Sequence, residues 1–392
     1  MPEKTPSLPE RLQRELSALH EKTELRTLEQ LRGVNLCSND YLGLSTDARL
    51  KQALQEAVAR TTAVGSTGSR LLSGNSSEWE ELEVDFAQFA GREAALYFSS
   101  GYSANVGLLS ALLKPSDIVF SDSLNHASII DGIRLAGVRK VVYPHGDLKF
   151  LQAALEQHRN ELGARVVVTE SVFSMDGGVA PLLDLLELAR EYAAELAIDE
   201  AHATGVFGPR GRGVAAQLGI EKDVLAIVHT CGKALASMGA FVCSGLALKQ
   251  YLVNRARTFI FSTAMPPYLA HQIRAAMYLA DAADAKRVHL FAIAELMRKE
   301  LRAAGLDVGS SNSHIIPVIL GSNEIALHVA RQLQSNGFAV RAIRPPTVPP
   351  GTSRLRLSLT SKVTRDQVSR LCELIIQSAE GVRQSSTLVT HG

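Results

Sequence analysis

The segment LAIDEAHATG carries Asp199, Glu200 and His202 at the end of a short apolar run. If that run is a strand, the three side chains lie at the carboxyl edge of a sheet, where open α/β folds bind ligands. A carboxylate at such a position can bind a metal, cap a helix or hold a protonated heterocyclic nitrogen. Asp199 alone does not decide between these roles.

A lysine follows the next apolar run. DVLAIVH continues into Thr230-Cys-Gly-Lys233-Ala, so Lys233 lies among small and apolar residues. Most lysines are solvated charges, but an amine in such surroundings has a lowered pKa, which favours Schiff-base chemistry. The segment is not a nucleotide-binding P-loop, because Ile227 stands where that motif requires glycine.

Two earlier segments add a phosphate site and a flat ring. Ser99-Ser-Gly101-Tyr102 follows an apolar run and opens a helix, which places backbone N–H groups where a phosphate binds. His126 follows another run and could stack on a planar cofactor. Taken singly, the first segment is also compatible with an ordinary helix cap, and the histidine with a structural role.

The order of these segments favours one cofactor. Pyridoxal 5′-phosphate (PLP) needs a phosphate site, an acidic partner for its ring nitrogen and a lysine that forms a Schiff base. The sequence supplies them as Gly101, Asp199 and Lys233. We therefore predict a PLP enzyme with Lys233 as the covalent anchor.

The elements that position these residues alternate between helices and short apolar runs, a pattern typical of a mostly parallel sheet covered on both faces. The predicted strands are Ala94–Phe98, Ile118–Ser121, Lys140–Tyr143, Arg165–Thr169, Leu196–Ile198 and Val224–Val228. We predict an N-terminal arm (1–47), a large α/β domain (48–280) and a small α+β domain (281–392).

Outside the large sheet, the arm contains a predicted amphipathic helix over residues 8–31 and an extended piece, Val34–Ser38. One long helix is predicted over Pro267–Ala304. Three strands of the small domain follow, at Ile315–Leu320, Ala339–Ile343 and Arg354–Ser358.

Composition excludes some classes of function. The 41 basic and 40 acidic residues nearly cancel, so there is no overall field to attract nucleic acid or an anionic membrane. The four cysteines are scattered without metal-ligand spacing, so neither a metal site nor a disulfide framework is expected. The N-terminus lacks an apolar signal core and no run is long enough to span a membrane, so we expect a cytoplasmic protein.

From about residue 25 to 378 the sequence resembles the α-oxoamine synthases, PLP enzymes that condense an amino acid with an acyl-CoA and release carbon dioxide. The matching stretches are SNDYLGL (38–44), GSTGSRLLSG (65–74), SSGY (99–102), NHAS (125–128), TESVFSMDG (169–177), DEAH (199–202), TCGK (230–233) and RLR (354–356). The resemblance implies a fold-type I transferase with a mostly parallel seven-stranded sheet. It also implies a homodimer whose two subunits share their active sites.

The resemblance assigns roles to individual residues. At the cofactor, Lys233 forms the Schiff base, Asp199 pairs with the ring nitrogen and His126 stacks on the ring and hydrogen-bonds the developing oxyanion. His202 and Ser174 contact the ring hydroxyl. The phosphate is held by Gly101, Tyr102 and Thr230 and, from a second subunit, by Ser262 or Thr263. Arg356 and Asn39 bind the amino-acid carboxylate, and Thr347 and Arg26 contact the acyl substrate.

A proline-rich phrase, AIRPPTVP (342–349), bears on the substrates. It resembles members that join L-alanine to a pimeloyl thioester, carried on coenzyme A or on an acyl carrier protein. Condensation of glycine with acetyl-CoA and a non-catalytic partner subunit remain alternatives. An NAD-dependent dehydrogenase is disfavoured because no GxGxxG follows the first strand.

The chain departs from the family pattern at two positions. Trp79 stands where histidine is usual, and altered packing near the site is expected. Ala236 stands where glycine is common, three residues after Lys233. Neither change removes a group that the chemistry needs.

Overall fold

The computed structural model describes residues 7–30 and 32–389. Outside the described residues lie 1–6, 31 and 390–392. Residues 1–6 belong to the N-terminus that was inspected for a signal sequence, and Leu31 is the predicted end of the first helix. The helices are α1 (Leu8–Glu21), α2 (Ala48–Arg60), α3 (Ser77–Ala90), α4 (Gly101–Leu112), α5 (Ala127–Ala136), α6 (Leu148–Gln157), α7 (Leu182–Glu191), α8 (Val214–Leu218), α9 (Leu246–Arg255), α10 (Arg257–Ile260), α11 (Pro267–Asp281), α12 (Asp284–Ala303), α13 (Asn323–Ser335) and α14 (Arg365–Val389). The strands are β1 (Val34–Asn35), β2 (Ala94–Phe98), β3 (Ile118–Asp122), β4 (Arg139–Tyr143), β5 (Arg165–Glu170), β6 (Glu195–Asp199), β7 (Ala226–Thr230), β8 (Ala240–Ser244), β9 (Ile315–Gly321), β10 (Phe338–Ala339), β11 (Ala342–Ile343) and β12 (Ser353–Ser358).

The central sheet has seven strands in the order β2-β8-β7-β6-β5-β3-β4. β8 pairs antiparallel with both neighbours, and the other pairings are parallel. Strands such as β2, β3 and β7 are buried along their whole length, as expected for a sheet covered on both faces. The predicted fold class is therefore confirmed.

Two details of this sheet differ from the sequence-based strands. The sixth predicted strand, Val224–Val228, forms two residues later, as β7. The antiparallel strand β8 was not among the predicted runs. It follows β7 after a loop without a helix (231–239), so the alternation of helices and apolar runs does not point to it.

The predicted helix over residues 8–31 is wrong beyond Glu21, where α1 ends. Thr23 adopts a left-handed backbone (φ +55°). Its carbonyl oxygen accepts a hydrogen bond from Arg344, and Asn323 donates to the carbonyl of Lys22 at 3.1 Å. Tertiary contacts with the C-terminal part of the chain thus hold this segment out of the helix.

The long helix predicted over Pro267–Ala304 is also wrong, because it is broken between α11 and α12. The buried guanidinium of Arg287 donates to the carbonyls of Ala280 (2.5 Å) and Asp281 (2.9 Å). These bonds satisfy carbonyls that a continuous helix would have used. Neither glycine nor proline marks the break, so no local sequence signal predicts it.

The C-terminal part contains a three-stranded antiparallel sheet, β11-β12-β9. The predicted strand Ala339–Ile343 is divided: β10 pairs with β1 of the N-terminal arm, whereas β11 pairs with β12. The arm is thereby attached to the C-terminal region. The domain boundaries near residues 47 and 280 stay a prediction.

Among residues 7–30 and 32–389, no helix combines the length and the apolar character needed to cross a bilayer.

Candidate active site

The carboxyl ends of three neighbouring strands place polar residues side by side. β5, β6 and β7 are adjacent and parallel, and they end at Glu170, Asp199 and Thr230. Glu170 is directly opposite Asp199 in the register of β5 and β6. This edge is where the sequence predicted the site.

Asp199 is buried and held by two N–H groups. Its Oδ2 accepts a hydrogen bond from Asn105 at 2.6 Å, and its Oδ1 accepts one from the backbone of Ala201 at 2.8 Å. Glu200 points elsewhere: its carboxylate accepts the N–H groups of Val214 (2.8 Å) and Ala215 (2.6 Å) at the start of α8. Asp199 is therefore available to a ligand, and Glu200 caps a helix.

Lys233 lies in the loop after β7, with its Nζ 2.9 Å from Nε2 of His202. Desolvation and, to a smaller extent, the nearby Arg356 charge lower the pKa of Lys233 to about 8, against the opposing effect of Asp199 and Glu170. An amine with this pKa is partly unprotonated near neutral pH, as a nucleophile towards an aldehyde must be.

A chain of hydrogen bonds connects Lys233 to a buried arginine. Tyr41 Oη lies 2.5 Å from His202 Nδ1 and donates to Asn39 Oδ1 at 3.0 Å. Both terminal nitrogens of Arg356 donate to the same Asn39 oxygen at 3.2 Å.

His202 lies between Tyr41 and Lys233, with Nδ1 facing the Tyr41 hydroxyl and Nε2 facing the Lys233 amine. Burial holds the pKa of His202 well below its ordinary range, so the ring is neutral.

Arg356 is 9% exposed and lies on β12, next to the 169–177 motif. Its Nε donates to the backbone carbonyl of Ser174. Arg354, two residues earlier, forms an ion pair with Asp176. The structure brings Arg356 and Asn39 together as predicted, and the predicted contact of Ser174 with the ring hydroxyl stays a prediction.

Gly101 begins α4 at the predicted phosphate site. The N-cap hydroxyl of Ser100 accepts the N–H of Ser103, and first-turn N–H groups have no partner within a helix. Gly101 closely approaches Thr230: a Cβ on Gly101 would lie 2.7 Å from Thr230 Cγ2. Gly101 and Thr230 are therefore in close contact, and their shared role in holding a phosphate stays a prediction.

Two other predicted residues flank this edge. Tyr102 is 47% exposed, and its hydroxyl donates to Asp131 Oδ2. His126 is the N-cap of α5, and its Nδ1 accepts the N–H of Ser128. Desolvation lowers the pKa of His126, with Lys233 adding to the effect and Asp199 opposing it.

The two predicted acyl-site residues meet each other. Arg26 Nη2 donates to Thr347 Oγ1 at 2.8 Å, although 321 positions separate them in the chain. Both line a cavity of about 1050 Å³ between the N-terminal arm and α13. Sequence alone gave no sign of this cavity.

The cavity is rich in positive charge, since Arg331, Arg341 and Arg344 also line it. Arg341 pairs with Glu29 at 3.1 Å. Burial lowers the pKa of Arg344, and the charges of Arg26 and Arg331 lower it further. Arginines gathered in this way suit an anionic ligand group.

Ser262 and Thr263 lie close to Ser99 in the same chain. They line a small cavity together with Ser99 and Trp79, and the Ser262 hydroxyl donates to the carbonyl of Thr258 at 2.7 Å. A role for either residue in the phosphate site of a second subunit stays a prediction.

Both departures from the family pattern have structural consequences. Trp79 is fully buried, stacks on Tyr97 with ring centroids 4.2 Å apart, and donates to the Met265 carbonyl at 3.0 Å. Ala236 has a left-handed backbone (φ +46°), the conformation that favours glycine.

Sequence reasoning did not single out Tyr41, Asn105, Ser128 or Glu170. Tyr41 and Ser128 lie inside the matched motifs, and Asn105 lies one helical turn after Gly101. Their position in or near a motif could have suggested a role at the site. The pKa of Glu170 is raised by burial and by Asp199, and among the described residues its Oε1 has no hydrogen-bond partner.

Together these residues can hold PLP: the start of α4 its phosphate, Asp199 a protonated ring nitrogen and Lys233 its aldehyde carbon.

Comparison with known proteins agrees with this geometry. Residues 32–375 match the family model described as aminotransferase class I and II. A putative 8-amino-7-oxononanoate synthase of Geobacillus kaustophilus (strain HTA426) is 46% identical, over 87% of this chain and 87% of the relative. The 8-amino-7-oxononanoate synthase of Geobacter sulfurreducens (strain ATCC 51573 / DSM 12127 / PCA) is also 46% identical, over 86% of each chain.

A solved structure of serine palmitoyltransferase with a PLP internal aldimine superposes with a TM-score of 0.88. It is 29% identical, and the match covers 96% of this chain and 99% of the other.

Proposed function

Because the chain belongs to the class I and II aminotransferase family and, within it, to the α-oxoamine synthases, we propose that it joins L-alanine to a pimeloyl thioester and releases carbon dioxide. The product is 8-amino-7-oxononanoate, an intermediate of biotin biosynthesis. The observation that carries the proposal is the hydrogen-bond chain from Lys233 to Arg356, which connects the amine that attaches the cofactor to a guanidinium that can bind an amino-acid carboxylate.

PLP is the cofactor, and when bound it withdraws electrons from the Cα of the amino acid. Lys233 would hold it covalently, and the lysine amine would take up the proton removed from Cα. Asp199 would accept the hydrogen bond of the protonated ring nitrogen. Gly101, Tyr102 and Thr230 would hold the phosphate, and His202 and Ser174 would contact the ring hydroxyl.

Arg356 binds the alanine carboxylate. Its planar guanidinium suits two parallel hydrogen bonds to a carboxylate. Asn39 Oδ1 accepts from Nη1 and Nη2, and the Ser174 carbonyl accepts from Nε. A two-pronged contact with a carboxylate would therefore take the place of one of these two acceptors.

The arginine-lined cavity receives the acyl chain. Arg26 and Thr347 contact each other there, and Arg331 and Arg344 add positive charge. A pimeloyl chain ends in a carboxylate that this lining can pair with, whereas a palmitoyl chain ends in a methyl group that gains nothing from arginine. The lining therefore favours a pimeloyl chain over the palmitoyl chain that the name serine palmitoyltransferase gives for the structural neighbour.

We further propose that the active enzyme is a homodimer in which Ser262 or Thr263 of a second copy completes the phosphate site. Support comes from α1, which has no buried residue and leaves Leu8, Leu12 and Leu16 between 48% and 58% exposed. Apolar residues gathered on one exposed helix indicate an interface. The acyl carrier is either coenzyme A or an acyl carrier protein.

The test is a matrix of substrates with the purified protein and PLP. L-Alanine, glycine and L-serine are each combined with pimeloyl-CoA, acetyl-CoA and palmitoyl-CoA, and products are identified by mass spectrometry. We expect 8-amino-7-oxononanoate from alanine with pimeloyl-CoA as the preferred product, and a parallel reaction with a pimeloyl-acyl carrier protein identifies the carrier. Turnover of glycine with acetyl-CoA, or of serine with palmitoyl-CoA, in preference to this pair would refute the proposal.

A further inference from the structure

The ring of His126 is anchored on one side only. Its Nδ1 accepts the backbone N–H of Ser128 at 3.3 Å, and the Ser128 hydroxyl lies 2.7 Å from the same nitrogen. A backbone N–H can only donate, so Nδ1 carries no proton. The neutral ring must then carry its proton on Nε2.

The other hydrogen bonds of Ser128 support the same tautomer of His126. Because Nδ1 is an acceptor, the Ser128 hydroxyl donates its single proton to it. The hydroxyl oxygen in turn accepts one amide proton of Asn105 at 2.9 Å. Ser128 is fully buried and Asn105 is 4% exposed, so solvent does not compete for these bonds.

The second amide proton of Asn105 is bound by Asp199, at 2.6 Å. A carboxylate can only accept, so it fixes the orientation of the Asn105 amide, with nitrogen towards both Asp199 and Ser128. The direction of every hydrogen bond from Asp199 to His126 is thus determined. Asn105 and Ser128 thus link Asp199 to His126, two of the side chains predicted to contact the PLP ring.

We infer that Asn105 and Ser128 are positioning residues that hold His126 as a neutral ring protonated on Nε2. The inference rests on the proposed function for its catalytic consequence. In this form His126 donates a hydrogen bond to an oxygen that gains negative charge during acyl transfer. It does not accept the Cα proton, which leaves Lys233 as the base.

The direct test is the protonation state of His126 in the full-length protein labelled with ¹⁵N only at histidine. Long-range ¹H–¹⁵N correlation spectra distinguish protonated from unprotonated ring nitrogens, and the His126→Gln variant identifies the signals of this residue. We expect a neutral ring with the proton on Nε2, with and without PLP. A proton on Nδ1 of the wild-type protein, or a charged ring at neutral pH, overturns the inference.

Variants test the two positioning residues separately. In Ser128→Ala only the longer backbone bond remains, so a measurable fraction of the Nδ1–H form is expected, and Ser128→Thr, which keeps the hydroxyl, restores the wild-type form. In Asn105→Ala the hydroxyl is free to rotate, so the fraction lies between wild type and Ser128→Ala. If either alanine variant gave the wild-type spectrum, the substituted residue would not determine the tautomer of His126.

Kinetics provide a second readout. With L-alanine and pimeloyl-CoA, kcat of Ser128→Ala should fall about tenfold, the effect of one neutral hydrogen bond, with KM for alanine unchanged. A rise in KM alone would show that Ser128 merely supports substrate binding, and would contradict the inference. If the proposed substrates are wrong, turnover is absent in every variant but the spectra without PLP still report the tautomer, so the two failures are distinguishable.

Discussion

Covalent attachment of PLP to Lys233 should depend on pH in a range unusual for lysine. Desolvation lowers the pKa of this amine from the ordinary 10.5 to about 8. At pH 7 about one amine in ten is then unprotonated, against roughly one in three thousand for an ordinary lysine. Since only the unprotonated amine attacks an aldehyde, the rate of attachment rises about tenfold per pH unit below pH 8 and levels off above it.

The assay is stopped-flow absorbance after mixing PLP with the cofactor-free protein between pH 6 and about 10, a range that spans the lowered pKa. A small primary amine measured in parallel corrects for the ionisation of PLP itself. Arg356→Gln removes a positive charge that lowers the pKa of Lys233, so its midpoint moves to higher pH. Asp199→Asn removes a charge that raises this pKa, so its midpoint moves to lower pH.

A wild-type rate that continues to rise in proportion to hydroxide beyond about pH 9 would contradict a lowered pKa, because it would show that Lys233 titrates as an ordinary lysine. A midpoint that moves down in Arg356→Gln would refute the electrostatic part alone.

Three further predictions concern residues around the site. Ala236→Gly should raise the free energy of unfolding by about 0.5–1 kcal/mol in urea titrations, because alanine is strained at φ +46° and glycine is not; a loss of stability would contradict this. Trp79→Phe should lower it by about 1–3 kcal/mol, because the Met265 carbonyl loses its donor and a cavity forms; an unchanged denaturation midpoint would count against this packing. Arg331→Leu should lower kcat/KM for pimeloyl-CoA by about tenfold or more and leave octanoyl-CoA unaffected, since only the former ends in a charge; equal losses for both would exclude a role in binding the carboxylate.

Much of the cofactor site could be predicted because each of its parts follows a strand. Asp199, Thr230 and Lys233 come directly after apolar runs, and adjacent parallel strands bring such positions to one edge. A local pattern was therefore enough to place them together.

Residues that depend on distant contacts could not be derived in that way. Tyr41 lies 161 positions from its partner His202, and Arg26 lies 321 positions from Thr347. Each contact joins the N-terminal arm to a distant part of the chain, as does the pairing of β1 with β10, and local periodicity does not report such pairings. The break between α11 and α12 is similar, because a buried arginine makes it without glycine or proline.

The residue that carries PLP can be identified directly by mass spectrometry. The purified protein is reduced with borohydride in the presence of PLP and digested, and the modified peptide is sequenced by mass spectrometry. We predict a pyridoxyl group on Lys233, and its absence from every peptide of Lys233→Ala. A pyridoxyl group on a different lysine of the wild-type protein, or on none, would contradict the assignment of Lys233 as the anchor of the active site.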